Sequence, residues 1–465
     1  MKVQIQDLGI IKSAEIDLDK DIIMLCGPNN TGKTYVAYSI YGFLKSELML
    51  PVEAINLSQS ISMIFDNGAI EIDLFKLIEE YKEKILTSVA SNYQKSLPAI
   101  FAADEKEPFV NTKFELILDD VETLKENILE SAFEHKVFTQ EQSGFIFTKP
   151  RNSHVLTGVL ISDRQVTKPK ERNLSIPKEV LIHVLIQNIS NIFFRFLFPG
   201  VYIAPSERNA INIFSKELSL KRDFLVDQLL EFKHQLKPED PFDFVARRAS
   251  RYPLPIRDSL KIAEDLESLK ANKSEFAYIA DEIEKTLLRG KISISKDGSV
   301  LFKPNRRKSP QMAIHLTASV VKSLSHLVFY FRHLAKKKDF IIIDEPELNL
   351  HPDHQVIIAK LLSKIINKGF KVMISTHSDY IIREFNNLIM LSAGTQKAKE
   401  LMKKYNYGKD EVLLPKQVGV YVFDYDKRTA KPLDVRAAGF EIQSIDAAIH
   451  RQNQAAQEIY FSLHE

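Results

Sequence analysis

IIMLCGPNNTGKT, residues 22–34, carries an apolar strand straight into a loop of Gly, Pro, Asn and Thr that ends in Lys-Thr. Residues 27–34 satisfy G-x-x-x-x-G-K-[ST] at every fixed position. The glycines let the backbone curl so that its N–H groups converge on an anion. The continuation TYVAYSIYGFLKSEL reads as a helix whose N-terminus adds positive potential at the same point. Lys33 is then expected to reach the β- and γ-phosphates of ATP, and the Thr34 hydroxyl to ligate Mg²⁺. The candidate ATP contacts are Gly27, Asn29, Asn30, Thr31, Gly32, Lys33, Thr34 and Tyr35.

Upstream, KVQIQDLGIIKSAEIDLDKD alternates like two short strands with a turn near Leu8-Gly9. A meander leading into the phosphate loop suits an ABC-type head better than a RecA- or AAA+-type motor. The same alternation gives no sign of a secretory signal.

The acidic counterpart of the loop stands far downstream, in DFIIIDEPELNLHP. Phe340 to Ile343 read as a strand buried on both faces, as parallel strands are. It ends at Asp344, expected to bind Mg²⁺ directly or through water, and Glu345, expected to orient and deprotonate the attacking water. Next comes GFKVMISTHSDYII, a buried strand over 371–375 ending in Thr376-His377-Ser378. A histidine at the carboxyl end of a parallel strand lies where such sheets bind nucleotides. His377 is expected to hydrogen-bond the γ-phosphate and to hold the water together with Glu345.

GPNNTGKT, IDEPELNLHP and STHSDYI together resemble the ABC-type ATPase heads of the SMC, RecF and OLD group, and most of all the AAA15-type ATPases of bacteria. The resemblance implies an α/β fold, an ABC-type P-loop head. It makes Glu347-Leu348-Asn349-Leu350-His351 the D-loop and His377 the switch histidine. It also implies a signature motif at the start of the helix before the acidic strand. There the chain reads IHLTASVVKSLSHLVFYFRHLAKKKDF, a helix from about Ala318 to Lys336 with apolar residues at helical spacing. The signature glycines are missing. Ser319 best matches the signature serine, expected to touch the γ-phosphate of a facing subunit; the competing reading is an ordinary Thr or Ser N-cap. No clear Q-loop glutamine is legible.

Between the two halves the sequence predicts a compact, mostly helical lobe and no coiled-coil arm. FKLIEEYKEKILTSVASNYQKSL and the stretch from Ile256 to Gly290 are helical but lack sustained heptads. Pro98, Pro108, Pro150, Pro169 and Pro177 are expected to interrupt the lobe. Strands are expected at 113–118 and 143–149, and a hairpin at 291–304 turning at Asp297-Gly298. The resulting division is 1–60 for the first part of the head, 61–290 for the insertion with a strand returning to the head near 200–208, and 291–465 for the rest of the head. In VYIAPSERNAINIF (201–214), Arg208 is expected either to contact phosphate or a facing subunit, or to form a plain surface ion pair. The clusters at 164–172, Arg306-Arg307-Lys308 and Lys336-Lys337-Lys338 read as solvated surface, because no aromatics interleave them.

The tail after His377 is too short for the Toprim nuclease domain of OLD proteins. Asp424-Tyr425-Asp426 reads as the end of a strand running into a charged turn, and the last segment as a helix closing the head.

Bulk properties agree with this reading without sharpening it. At 465 residues two or three lobes are expected. With 63 basic against 61 acidic residues the net charge of +2 does not mark a nucleic-acid binder. One cysteine, Cys26, excludes disulfides and Cys-based metal sites, which fits a reducing cytoplasm. The most apolar stretch, 181–204, carries His183, Gln187, Asn188, Asn191 and Arg195, so a buried helix and strand are expected there and no membrane span.

The expectation is a cytoplasmic, Mg-dependent ATPase whose heads pair as a homodimer or higher homo-oligomer, sandwiching ATP. The AAA15 resemblance further implies a separate nuclease or toxin effector, as in two-gene antiphage systems such as PARIS and Septu. A RecF- or SMC-like ATPase acting directly on DNA, in repair or chromosome maintenance, is the alternative. A non-hydrolysing ATP-gated scaffold or sensor is the third reading.

Overall fold

The computed structural model describes residues 1–46, 50, 68–103, 107–119, 121–138, 144–161, 178–195, 200–214, 252–295 and 298–464. They form two compact units. One comprises Met1–Gln4, Lys45–Ser96 and Lys113–Pro199; the other comprises Ile5–Leu44, Leu97–Thr112 and Gly200–Glu465.

The second unit holds the phosphate loop. Strands β1 (Lys2–Leu8), of which Ile5–Leu8 lie in this unit, and β2 (Ile11–Asp17) form at the meander, with Gly9 at φ +55° in the turn between them. β3 (Ile22–Cys26) follows and is buried throughout. The next five strands, from β4 (Ala69–Asp73) to β8 (Val155–Ile161), belong to the other unit. After them come β9 (Val201–Ala204), β10 (Gly290–Ile294), β11 (Val300–Pro304), β12 (Met312–Ala313), β13 (Phe340–Asp344), β14 (Lys371–Thr376), β15 (Val418–Asp424) and β16 (Thr429–Leu433).

Within the second unit the strands of the main sheet run in the order β1-β2-β16-β15-β3-β14-β13-β9. β15, β3, β14, β13 and β9 are mutually parallel. The continuous apolar runs in β3 and β13 are what a parallel sheet covered on both faces requires. The helices Ser319–Phe329, Pro352–Asn367 and Asp379–Met390 bury their apolar stripes against one face, around Met24, Ile341, Ile343, Val372 and Ile374. At roughly 25 cal/mol per Å² of apolar area removed from water, this packing is the dominant favourable term.

Register decides where the site lies. Cys26 stands opposite Thr376, Asp344 opposite Ser375, and Ala204 opposite Ile343. The loops after β3, β13, β14 and β9 therefore leave the sheet at one edge. About 310 residues of sequence separation vanish there, and Thr34 meets Asp344.

The first unit contains the antiparallel sheet β4-β8-β7-β6, with β6 (Phe133–Phe138), β7 (Gly144–Lys149) and β8 (Val155–Ile161). β5 (Lys113–Ile117) forms at the strand read over 113–118. Helices Glu122–Glu130 and Lys178–Ser190 complete the described part of this unit, together with most of Leu74–Phe101. The 291–304 hairpin forms as β10 and β11, and its turn residue Asp297 lies outside the described residues. So do the basic stretch 164–172, Pro169 and Pro177.

Three expectations are revised. Pro98 does not end its helix, which continues to Phe101. Pro98 lacks the N–H that would bond the carbonyl four residues back, and buried Leu97 and Ile100 keep the last turn packed despite that loss. Residues 254–288, read as insertion, fold as helical pieces of the unit that carries the phosphate loop. The last segment is helical over Gln443–His464, but residues 451–464 are exposed and do not close the head. Its large apolar residues Ile459, Tyr460, Phe461 and Leu463 are all exposed. Among the described residues no helix is long and apolar enough to cross a membrane.

Candidate nucleotide-binding and hydrolysis site

The phosphate loop is shaped by three positive-φ residues, Gly27 at +143°, Asn30 at +58° and Gly32 at +89°. A Cβ on Gly27 would lie 2.7 Å from the Phe423 carbonyl oxygen, and one on Gly32 would lie 2.6 Å from the Ile11 side chain. Both positions need glycine for conformation and space alike. Asn is among the few other residues that adopt this conformation readily. Pro28, Asn29 and Asn30 form the exposed rim, while Thr31 and Lys33 are buried. Thr31 Oγ1 donates to Pro28 O at 2.8 Å, which ties the loop across its base.

Lys33 opens the helix Lys33–Lys45 and folds its ammonium back into the loop. Nζ donates to Gly27 O at 2.9 Å and to Pro28 O at 2.7 Å. Burial lowers its pKa, against the pull of nearby Asp344. Tyr35 packs beside the Gly9 turn and against Phe101, with ring centroids 5.3 Å apart.

Asp344 ends β13 and is 2% exposed. Its two oxygens accept hydrogen bonds from Thr34 Oγ1, at 3.1 Å, and from Ser375 Oγ. Burial raises its pKa, and these two hydroxyls pull the other way. A desolvated carboxylate beside a hydroxyl is a hard-oxygen pair of the kind that holds Mg²⁺, whose charge offsets the cost of burying the anion. The donor set therefore fits that ion.

Glu345 follows in the left-handed region, φ +51°. For a residue with a Cβ this costs roughly 1–2 kcal/mol. It is held there from both sides: its N–H donates to Ser375 O at 3.0 Å, and its carbonyl accepts from Arg208 Nη2 at 2.6 Å.

His377 emerges from the end of β14 with its side chain 45% exposed. Glu347 orders it. Glu347 Oε1 accepts from the His377 backbone N–H at 2.9 Å and from Thr376 Oγ1 at 2.8 Å, and lies 3.3 Å from His377 Nδ1. A nearly buried carboxylate thus fixes the backbone of His377 and stands at ion-pair distance from one ring nitrogen, with Nε2 on the other side of the ring. Motif matching placed Glu347 in the D-loop without giving it this role. The only sequence signal was a third acid, two residues after Glu345.

Arg208 departs from the expectation of a surface ion pair. It is 1% exposed and, among the described residues, forms no ion pair. It donates to Ser323 Oγ from Nε at 3.0 Å, to Pro205 O and Asp344 O from Nη1 at 3.0 and 2.6 Å, and to Glu345 O from Nη2. Burial lowers its pKa, while Asp344 pulls it back up. Its neighbour Glu207 accepts from Tyr38 OH, on the phosphate-loop helix, at 3.1 Å.

Ser319 is the first residue of the helix Ser319–Phe329 and is exposed. The N-cap is Ala318, which makes no side-chain cap bond, and Thr317 Oγ1 is spent on Ile314 O at 2.6 Å. The N-cap reading of these hydroxyls therefore fails. In the tail, β15 and β16 flank the predicted turn. Asp424 Oδ1 accepts from the Lys427 N–H at 2.8 Å, which holds its carboxyl below the usual range. Arg306, Arg307 and Lys308 are exposed, as are Lys336, Lys337 and Lys338.

No curated protein matches the chain by sequence. Among solved structures, one similar chain is an Smc head domain from Pyrococcus furiosus with an extended coiled coil, bound to the C-terminal domain of ScpA. It has 12% identity and a TM-score of 0.31 over 99% of this chain and 98% of that one. Another is an Smc head bound to the C-winged helix domain of ScpA, with 11% identity and a TM-score of 0.33 over 93% of this chain and 96% of that one. The family comes from sequence: residues 1–382 match the AAA ATPase domain family AAA_15. A phosphate loop, an acidic strand end and a histidine strand end on one sheet edge agree with that match, and the chain belongs to the AAA_15 family of AAA ATPase domains.

Proposed function

We propose that this chain hydrolyses ATP between paired heads and uses the cycle to control a separate effector protein. The observation that carries the reading is the meeting of Lys33, Thr34, Asp344, Glu345 and His377 at one sheet edge, joined by the Thr34–Asp344 hydrogen bond. Lys33 exchanges its two loop carbonyls for phosphate oxygens and brings a charge that burial has made costly to leave unpaired. Thr34 and Asp344 would hold Mg²⁺, which when bound would supply positive charge against the phosphates. Glu345 takes the proton of the attacking water, and His377, aligned by Glu347, donates to the γ-phosphate. Exposed Ser319 is free of the capping role within its own chain, which suits contact with the nucleotide of a facing copy.

The effector and the setting come from the resemblance of the three motifs to AAA15-type ATPases of antiphage systems. We infer a cytoplasmic defence ATPase that holds or releases a nuclease or toxin according to its nucleotide state. The test is to express the chain with its genomic neighbour and challenge the cells with a phage panel. Co-purification of the two proteins, with protection lost in Lys33→Ala, is the expected result. Absence of co-purification together with unchanged plating in Lys33→Ala would reject the defence role. A DNA-stimulated ATPase rate would move the assignment to a DNA-acting ATPase.

A further inference from the structure

Successive carbonyls of an extended strand point to opposite sides, so one side chain does not reach two in a row. Arg208 does so, with Nη1 on Asp344 O and Nη2 on Glu345 O, both at 2.6 Å. The left-handed turn of the backbone at Glu345 makes this reach possible. The fork is planar and rigid, so it fits that conformation and loses a bond in the extended one. The third edge of the same guanidinium binds Ser323 Oγ, whose hydroxyl lies 3.3 Å from Leu348 O in the segment after Glu345. Ser323 is buried and stands one turn after exposed Ser319, on the same face of the helix. A second link runs alongside: Asn212 Nδ2 donates to Lys322 O at 2.5 Å and to Ser325 Oγ at 2.7 Å.

We propose that Arg208 is a positioning residue for ATP hydrolysis, holding Glu345 in its left-handed conformation and tying it to the helix that begins at Ser319. A shift of that helix when a facing head engages it reaches Glu345 through one flat group, so head pairing and water activation are coupled. This rests on the reading of Glu345 as the base.

The experiment uses the full chain with Arg208→Lys, which keeps the charge and loses the fork, and with Ser323→Ala, which keeps the fork and removes the helix link together with the hydroxyl's bond to Leu348 O. Circular dichroism checks the fold, a fluorescent ATP analogue reports affinity, and steady-state kinetics separate kcat from KM. Arg208→Lys is expected to keep affinity within about threefold and to lower kcat at least about tenfold; Ser323→Ala lowers kcat by about threefold with KM unchanged. Neither adds a further loss of turnover in a Glu345→Gln background, because both act on the step already removed. A kcat within about twofold of the parent in folded Arg208→Lys, or a loss lying entirely in KM, overturns the proposal. Should Arg208→Lys fail to fold, Ser323→Ala decides, and an unchanged kcat there overturns it. Near-normal turnover in Glu345→Gln alone would instead bring down the base assignment, whatever Arg208 does.

Discussion

Lys33 and Arg208 are two buried cations at the same sheet edge, and they are built oppositely. Lys33 is a point charge on a flexible stem, satisfied by two carbonyls of the loop it belongs to. Arg208 is a planar fork with four bonds to three different segments: its own loop, the end of β13 and the helix Ser319–Phe329. The first arrangement is easily exchanged for phosphate; the second is costly to rearrange at any single point. A nucleotide site needs both, one group that changes partner on binding and one that keeps the acids in register.

The sharpest way to break this comparison is to remove the exchangeable cation. Lys33→Ala should abolish binding of a fluorescent ATP analogue while the thermal midpoint stays close to that of the parent, since the ammonium holds only its own loop. Unchanged affinity would remove Lys33 from the phosphate site. Next in size, Glu345→Gln should lower turnover at least about a hundredfold, the scale of lost general-base catalysis. ATP should stay bound and the protein should accumulate as paired heads; single-turnover hydrolysis measures it.

Glu347→Gln sharpens the picture on the other flank. It leaves a hydrogen-bond acceptor but removes the charge behind His377. Charged hydrogen bonds are worth about 1.5–3 kcal/mol, so turnover should fall by about tenfold, towards the level of His377→Ala, with affinity retained. A Glu347→Gln enzyme at parental speed would show that the carboxylate serves only the backbone. Ser319→Arg should block ATP-driven pairing in the Glu345→Gln background while each chain still binds ATP, and mass photometry reads this directly. Pairing that persists would confine Ser319 to its own helix.

The last effect is on stability and not on turnover, and concerns the surroundings of Arg208. His326 is fully buried, and burial, aided by the Arg208 charge, lowers its pKa to about 4. Among the described residues its Nε2 has no hydrogen-bond partner. The unfolded chain takes up the proton near pH 6.5 and the folded chain only near 4, so the stability this group contributes is complete above 6.5 and lost as pH falls through that window. The loss should amount to about 3 kcal/mol, and His326→Gln should flatten it. Urea unfolding midpoints at pH 7, 5.5 and 4.5 test the slope.

Some of this was legible residue by residue. GPNNTGKT needs its glycines for local reasons, φ and space, so the motif is visible without knowing any neighbour. The apolar runs before Asp344 and His377 mark buried parallel strands for an equally local reason. The sequence alone therefore determined the phosphate loop, the two strand ends, the hairpin at 291–304 and the amino-terminal meander, because each depends on contacts within a few residues. Only the tertiary structure decided that Arg208 is a buried clamp, that Glu347 aligns His377, that Ala318 and not a hydroxyl caps its helix, and that the final helix stays exposed. Those outcomes depend on which carbonyls, hydroxyls and faces the sheet register brings together across 100 residues or more of chain, as with Arg208 and Ser323, 115 apart. A side chain's type states what it can bond, but not what the fold will put within reach.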